Sequence, residues 1–212
     1  IIIGSGAGGL TAAVALAQAG QKVLVCEQHG KPGGWTHSFT LNGYRFSPGV
    51  HYIGGIEEGG SLNRTYRGLG VSNHLEFCEL NPEGFDHIVI GDKQYDFPKG
   101  KENLKAKLTE YFPHEAKGIE GYIEMVDKMV VGVNSLGKVK NAKTAVTAAG
   151  NSMSLLRWAT RSGQDLIEHF ITDPILRGVL AGQSGDHGMP PSQVSAFVHA
   201  GVTHHYYNGG FY

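Results

Sequence analysis

Four residues near the start of the chain have the types and the spacing of a dinucleotide-binding site. Gly4, Gly6 and Gly9 form a GxGxxG pattern, and Glu27 follows at the end of the next apolar segment. In such a site the first glycine makes a tight turn, the second lets the backbone approach a pyrophosphate, and the third lets a helix pack closely on a strand. The acid accepts a ribose hydroxyl and disfavours a 2′-phosphate. The pattern therefore predicts a site for the adenosine of FAD or NAD rather than of NADP.

The segments around these residues have the order needed to position them. Three isoleucines, Ile1 to Ile3, predict a strand that leads into the glycines. The helix that follows has one apolar stripe, made of Leu10, Ala13, Val14 and Ala17. A second strand, residues 23–26, ends at Glu27, and we expect its Cys26 to be buried. This is a βαβ unit whose helix N-terminus faces the phosphates, so the fold class is α/β with a Rossmann-like start.

Composition sets limits on the class of protein. The chain has 212 residues, 41% of them hydrophobic, which allows a sizeable core and one or two domains. A net charge of −1 gives no global field for nucleic acid. Its two cysteines, Cys26 and Cys78, do not suggest a disulfide framework. Few strands are offered after Glu27, so we expect an incomplete sheet and the N-terminal portion of a longer protein.

The remaining sequence divides into a β-rich part and a helical part. Asn42-Gly43 predicts one hairpin, residues 61–69 a short helix, and Gly91-Asp92 a second hairpin. From Pro98 onwards the apolar period is helical, so we predict a first part of an FAD-binding domain with a β-rich insert over 1–98 and a helical substrate-domain portion over 99–212. The pattern also predicts a capping box at Ser162 to Asp165. It predicts a last helix that begins at Pro191 and buries Val194, Phe197, Val198 and Val202.

A basic stretch lies inside the helical part. No acid occurs between Asp127 and Asp165, where the charged residues are Lys128, Lys138, Lys140, Lys143, Arg157 and Arg161. Leu155, Leu156 and Trp158 lie in the same stretch. One interpretation is a surface that lies on an anionic membrane with Trp158 at the interface. The other is a solvated loop with Trp158 in the core.

Several segments together resemble the retinol saturase family (all-trans-retinol 13,14-reductases), within the phytoene desaturase and carotenoid isomerase group of flavoenzymes. They are KPGG at 31–34, THSF at 36–39, GVHYIG at 49–54, SQVSAFVHA at 192–200 and HYYNGGFY at 205–212. The resemblance implies FAD rather than NAD as the bound cofactor, with NAD or NADP as candidate sources of its electrons. With the pattern above, it predicts cofactor contacts from Gly4, Gly6, Gly8, Gly9, Glu27, Gln28, Gly33 and Gly34.

The same resemblance implies a reaction and a location. Reduced FAD would deliver a hydride from N5 to one carbon of a polyene alcohol, and a proton would reach the other carbon. The family is associated with the endoplasmic reticulum membrane, and segments beyond residue 212 complete its flavin site, so residues 1–212 alone are expected to bind FAD weakly.

The sequence offers His51 as a candidate proton donor. His51 follows a glycine turn expected near the flavin, although a hydrogen bond to backbone is the competing interpretation. His204, His205, Tyr206 and Tyr207 cluster at a helix end, and a histidine pair at i, i+1 points in different directions, which argues against a metal site.

Two other functions stay open. One is a carotenoid isomerase or desaturase of the same group, because one fold supports all these reactions. The other is a non-enzymatic protein like the Rab GDP-dissociation inhibitors, which resemble the start only partly and lack the third glycine that this chain has as Gly9.

Overall fold

The computed structural model describes residues 1–137, 140–141 and 155–209. Its internal contacts divide the chain into two compact units, Ile1–Cys78 and Glu79–Phe211. The hairpin at Gly91-Asp92 therefore lies in the second unit, while the predicted functional boundary at 98/99 stays a prediction.

The first unit begins with the predicted βαβ order. Strand β1 (Ile2–Ile3) leads into helix α1 (Ala7–Gln18), and strand β2 (Val25–Cys26) pairs with β1 in parallel. Ile2 and Val25 are partners and face α1, whereas Ile3 and Cys26 alternate to the opposite face. That face is open, so Ile3 is 91% exposed and the prediction that Cys26 is buried is wrong. The α/β fold class and the Rossmann-like start are confirmed.

The rest of the first unit is a hairpin and a short helix. Strands β3 (Phe39–Leu41) and β4 (Tyr44–Phe46) are antiparallel, and both turn residues have positive φ, 51° at Asn42 and 85° at Gly43. These angles match the right-handed twist of the paired strands, as the sequence Asn-Gly predicted. Helix α2 (Ser61–Gly68) occupies the predicted segment. The 3-10 helices of the described residues are Gly34–Thr36, Ser72–His74, Pro113–Glu115, Leu156–Trp158 and Gly182–His187.

A hydrophobic core lies in the second unit. Strands β5 (Asp86–Ile90) and β6 (Lys93–Phe97) form the second predicted hairpin. Helices α3 (Lys101–Tyr111) and α4 (Ala116–Leu136) follow it. The core contains the apolar faces of all these elements, including Phe97, Leu104, Leu108, Ile119, Tyr122, Ile123 and Val126.

Three further helices complete the second unit. Helix α5 (Gly163–Phe170) begins with the predicted capping box, in which Ser162 and Asp165 cap each other's backbone N–H. Helix α6 (Pro174–Leu180) is capped by Asp173, whose carboxylate accepts from two backbone N–H groups. Helix α7 (Ala196–Gly209) is the last.

The predicted start of the last helix is wrong, and its predicted buried row is right only in part: Val194 is buried but lies before the helix, and Phe197 packs against the core. The backbone carbonyls of Pro191 and Val194 accept hydrogen bonds from the first residues of α5, which holds this segment outside the helix. The helix therefore begins at Ala196 and buries a different face, made of Ala196, His199, Ala200, Thr203 and Tyr207. Val198, predicted inside, is exposed.

Trp158 is a core residue, which confirms the second interpretation of this residue and corrects the first, a position at a membrane interface. Its side chain is 4% exposed, and its ring meets that of His169 edge to face, with 5.4 Å between centroids. For this side chain, burying its large aromatic surface in the core is more favourable than a position at a membrane interface. Lys138 and Lys143 of the basic stretch lie outside the described residues. No helix in the described ranges is long and apolar enough to cross a bilayer.

Candidate dinucleotide-binding site

The glycine loop between β1 and α1 is shaped by contacts that only glycine permits. Gly4 has a φ of +92°, a conformation that side chains rarely adopt. A Cβ at Gly9 would lie 2.2 Å from the Gly4 carbonyl oxygen, so any side chain there would push α1 away from β1. At Gly6 and Gly8, by contrast, a Cβ would meet nothing within 4 Å among the described residues. Packing therefore explains Gly9, while Gly6 and Gly8 border open space at the helix start.

That open space lies at the N-terminus of α1. Gly6 is the N-cap and has no side chain to accept hydrogen bonds from the first turn. The N–H groups of this turn and the helix dipole therefore face the space next to Gly6 and favour an anion there. The arrangement fits a pyrophosphate.

Glu27 lies next to this loop and is held by three hydrogen bonds. Its Oε2 accepts from the Ser5 hydroxyl at 2.6 Å and from the Ser5 backbone N–H at 2.7 Å. Its Oε1 accepts from the backbone N–H of His29 at 2.8 Å. These bonds, that of the Ser5 hydroxyl first, lower the pKa of Glu27 to about 2, and the backbone of Gln28 contributes least. Glu27 is therefore ionised throughout the neutral range and oriented without a ligand.

Ser5 is the residue of this site that sequence reasoning missed. It is 2% exposed and connects three segments: the glycine loop, Glu27 and Gly33. The signal was present, because a hydroxyl between the first two glycines lies where β1 ends beside the carboxyl end of the parallel strand β2.

The second glycine turn packs directly on the first. The Gly33 backbone N–H donates to the Ser5 carbonyl oxygen at 2.9 Å and lies 3.2 Å from the Ser5 hydroxyl oxygen. A Cβ at Gly34 would lie 2.9 Å from the Gly6 Cα, and both Gly33 and Gly34 have positive φ. These two glycines therefore bring the loops together, and their contact with a cofactor stays a prediction.

Gln28 and His51, the other predicted site residues of the first unit, are exposed to solvent. Gln28 is exposed directly after Glu27, and His51 is exposed in a bend. His51 is outside the set of hydrogen bonds around Glu27, so its catalytic role also stays a prediction.

Two histidines of α7, His199 and His204, belong to structural networks. His199 is buried in α7, and its Nε2 lies 2.8 Å from the hydroxyl oxygen of Tyr122. Burial lowers the pKa of His199 to about 4 and raises that of Tyr122. Both groups are therefore neutral at physiological pH.

A second network lies at the end of α7. The Tyr207 hydroxyl donates to Asp127 at 2.5 Å, and Lys101 forms an ion pair with the same carboxylate. His204 Nε2 lies 3.7 Å from Asp127 Oδ1, and burial lowers the His204 pKa. His205 and Tyr206 contact each other through their rings. The described residues contain no cluster of three or more possible metal ligands.

Comparison with known proteins agrees with this geometry. Residues 2–69 match the family of NAD(P)-binding Rossmann-like domains. An all-trans-retinol 13,14-reductase of Danio rerio is 34% identical over 100% of this chain and 36% of its own length. Prolycopene isomerase 1 of an Oncidium hybrid cultivar, a chloroplastic protein, is 30% identical over 83% of this chain and 31% of its own length.

The chain is similar to a retinol reductase over its whole length and to a carotenoid isomerase over 83% of it. The family resemblance predicted from the sequence is thereby confirmed. This chain carries the βαβ start of a dinucleotide-binding fold. The chain spans about a third of the length of the curated relatives it matches. A solved Rab GDI of Plasmodium falciparum has a TM-score of 0.48 and 15% identity, over 97% of this chain and 48% of that one, which is too weak a likeness to argue from.

Proposed function

We propose that the protein to which this chain belongs is an FAD-dependent oxidoreductase that reduces a C=C bond of a retinoid, converting all-trans-retinol into 13,14-dihydroretinol. The observation that carries the proposal is the ionised, pre-oriented Glu27 beside the open glycine loop, in a chain 34% identical to a retinol 13,14-reductase. The chain's residues supply the adenosine half of the site.

Each part of this half-site has a separate task. The open side of Gly6 and the first-turn N–H groups of α1 would bind the pyrophosphate. The free side of Glu27 Oε1 would accept a ribose hydroxyl, and its negative charge would repel a 2′-phosphate. When bound, reduced FAD supplies the hydride from N5, and the substrate takes a proton at the other carbon. NAD or NADP is the candidate source of the electrons that reduce the flavin.

A specific observation also favours a second reaction. A prolycopene isomerase is 30% identical over 83% of the chain, so isomerisation or desaturation of a carotenoid is the alternative function. The two are distinguished by incubating the full-length protein, with its flavin reduced, with all-trans-retinol and separately with a poly-cis carotene. Formation of 13,14-dihydroretinol supports the proposed function, whereas carotene isomerisation without retinol reduction supports the alternative.

The cofactor is tested by Glu27→Arg in the full-length protein. The variant places a cation where a ribose acceptor belongs, so flavin occupancy measured by absorbance is expected to fall about tenfold or more, the scale of one lost charged hydrogen bond. Glu58→Arg is the matched control, because Glu58 is an exposed acid of the same unit. Unchanged flavin content in Glu27→Arg would contradict the assignment. A wild-type protein without flavin would favour a binding protein like the Rab GDP-dissociation inhibitors.

We further propose that the protein works at the surface of the endoplasmic reticulum membrane. The support is the resemblance to retinol saturases, the water-insoluble substrates named for the relatives, and the acid-free basic stretch between Asp127 and Asp165. Co-fractionation of the full-length protein with this membrane tests the location.

A further inference from the structure

The second unit has an apolar groove on its surface. The groove has a volume of about 200 Å³ and lies between the end of α4, the segment before the 3-10 helix Leu156–Trp158, and the start of α7. Val133, Leu136 and Leu156 are between 50% and 65% exposed. The residues that line the apolar groove carry no charge and no polar side chain: Gly132, Val133, Leu136, Leu155, Leu156 and Phe197 among them. Leucine and valine exposed side by side in this way indicate a binding surface.

A second pocket, which we call the arginine pocket, begins at the next residues of the chain. It has a volume of about 370 Å³ and is lined by Arg157, Trp158, Arg161, Asp165, Glu168 and His169. The two acids already accept hydrogen bonds, Asp165 from Ser162 and Glu168 from Gln164. Of the two arginines, Arg161 lies 3.9 Å from Asp165 Oδ1 as a loose ion pair and is 61% exposed at its side chain.

Two donors of the arginine pocket are uncommitted. Arg157 packs over the Trp158 ring at 5.1 Å from its centroid, and no ion pair of the described ranges includes it. The Trp158 Nε1 is buried and, among the described residues, has no hydrogen-bond partner. Of the two, only Arg157 is exposed, and an exposed arginine matches a phosphate particularly well.

The apolar groove and the arginine pocket together form one surface, and its charge favours one kind of partner. The sequence between Asp127 and Asp165 holds six basic residues and no acid. A second copy of the chain, with a net charge of −1, offers no strong excess of negative charge. An anionic phospholipid bilayer offers acyl chains to the groove and phosphates to the arginines at the same interface.

We propose that Leu155 to Arg161 dock on an anionic phospholipid bilayer, with Leu156 and the apolar groove against the acyl region and Arg157 and Arg161 on the lipid phosphates. The Trp158 ring packs against Arg157 and does not itself enter the interface. This inference rests on the proposed membrane association and adds the surface and the lipid chemistry that produce it.

Vesicle binding of the full-length protein tests the surface. Wild type is expected to sediment with vesicles of phosphatidylcholine plus phosphatidylserine, more weakly with phosphatidylcholine alone, and less as salt is raised from about 0.1 M to about 1 M. Arg157→Gln should weaken binding to the anionic vesicles about fivefold, the contribution of one basic residue near the surface. Leu156→Ser should weaken binding to both kinds of vesicle by about tenfold.

Two control variants change similar residues away from this surface. Val89→Ser removes an exposed apolar side chain from β5, and Lys93→Gln removes an exposed cation from β6. Both should bind vesicles as wild type does, and the flavin content of all four variants should be unchanged.

Several results would overturn the proposal. A wild-type protein that binds no vesicles refutes the membrane association itself. Vesicle binding that is equal in Arg157→Gln, Leu156→Ser and both controls refutes this surface alone. Loss of retinol binding or of self-association in Leu156→Ser, with vesicle binding intact, would assign the groove to a retinoid or to a second copy instead.

Discussion

The hydrogen bonds of Glu27 lead to a specific prediction about the ribose. A carboxylate has about four lone-pair positions, about two on each oxygen. The Ser5 hydroxyl and backbone N–H take both positions of Oε2, and the His29 N–H takes one of Oε1. One position is left, so Glu27 can accept one hydroxyl of the adenosine ribose and not both.

The perturbation is therefore removal of each ribose hydroxyl in turn. Binding of ADP, 2′-deoxy-ADP and 3′-deoxy-ADP to flavin-free full-length protein is measured by calorimetry. Loss of the hydroxyl that Oε1 accepts should weaken binding about tenfold or more, the scale of a hydrogen bond to a charged group. Loss of the other hydroxyl should weaken it less than about threefold.

The variant Ser5→Ala tests the cause of this unequal effect of the two ribose hydroxyls, which we call the asymmetry. The variant frees one position on Oε2 while the Gly33 N–H keeps its bond to the Ser5 carbonyl, so both hydroxyls should now affect affinity. Ser47→Ala, a hydroxyl of the same unit outside the site, should keep the wild-type asymmetry. Equal losses for both deoxy-nucleotides in wild type would refute the reasoning, and no ADP binding at all would refute the nucleotide site itself.

Two further predictions concern folding. Gly9→Ala should destabilise the full-length protein by about 2 kcal/mol, because its Cβ would overlap the Gly4 carbonyl, whereas Gly8→Ala should leave the free energy of unfolding unchanged; equal urea midpoints for both variants would contradict this. Since the folded pKa of His199 is about 4, below its ordinary value of 6.5, its contribution to stability is complete above about pH 6.5 and is lost as pH falls towards 4, by at most about 3 kcal/mol. Urea unfolding between these pH values should show a smaller acid loss in His199→Gln than in wild type, and an equal loss would disprove the role of this ring.

Local signals were sufficient where neighbouring residues decide the structure. Asn42-Gly43 predicted its hairpin because only a few residue types accept positive φ at both turn positions. Ser162 and Asp165 predicted the start of α5 because their side chains satisfy that helix's own N–H groups. The GxGxxG spacing belongs to the same class, since Gly9 is required by a carbonyl five residues before it.

Predictions failed where distant residues decide. Pro191 is a plausible helix start, but the backbone from Pro191 to Val194 pairs with the start of α5, a partner that no local pattern reveals. The residues next to Trp158 in the sequence fit both interpretations, and only its packing against His169 identifies it as a core residue. Ser5 was missed because its partners, Glu27 and Gly33, are brought to it by strand pairing.

The Ser5 contacts also explain why the adenosine half-site can be complete before a ligand arrives. The hydrogen bonds that hold Glu27 come from Ser5 and His29, with the smallest contribution from the Gln28 backbone, so its geometry needs nothing from the second unit. A carboxylate whose pKa is about 2 stays ionised wherever the protein is folded, so its repulsion of a 2′-phosphate does not depend on physiological changes of pH. Preorganisation of this kind reduces the ordering cost of binding. Under the proposed function, adenosine recognition would therefore be local to the first residues, and the choice between a retinoid and a carotenoid reaction would fall to residues elsewhere.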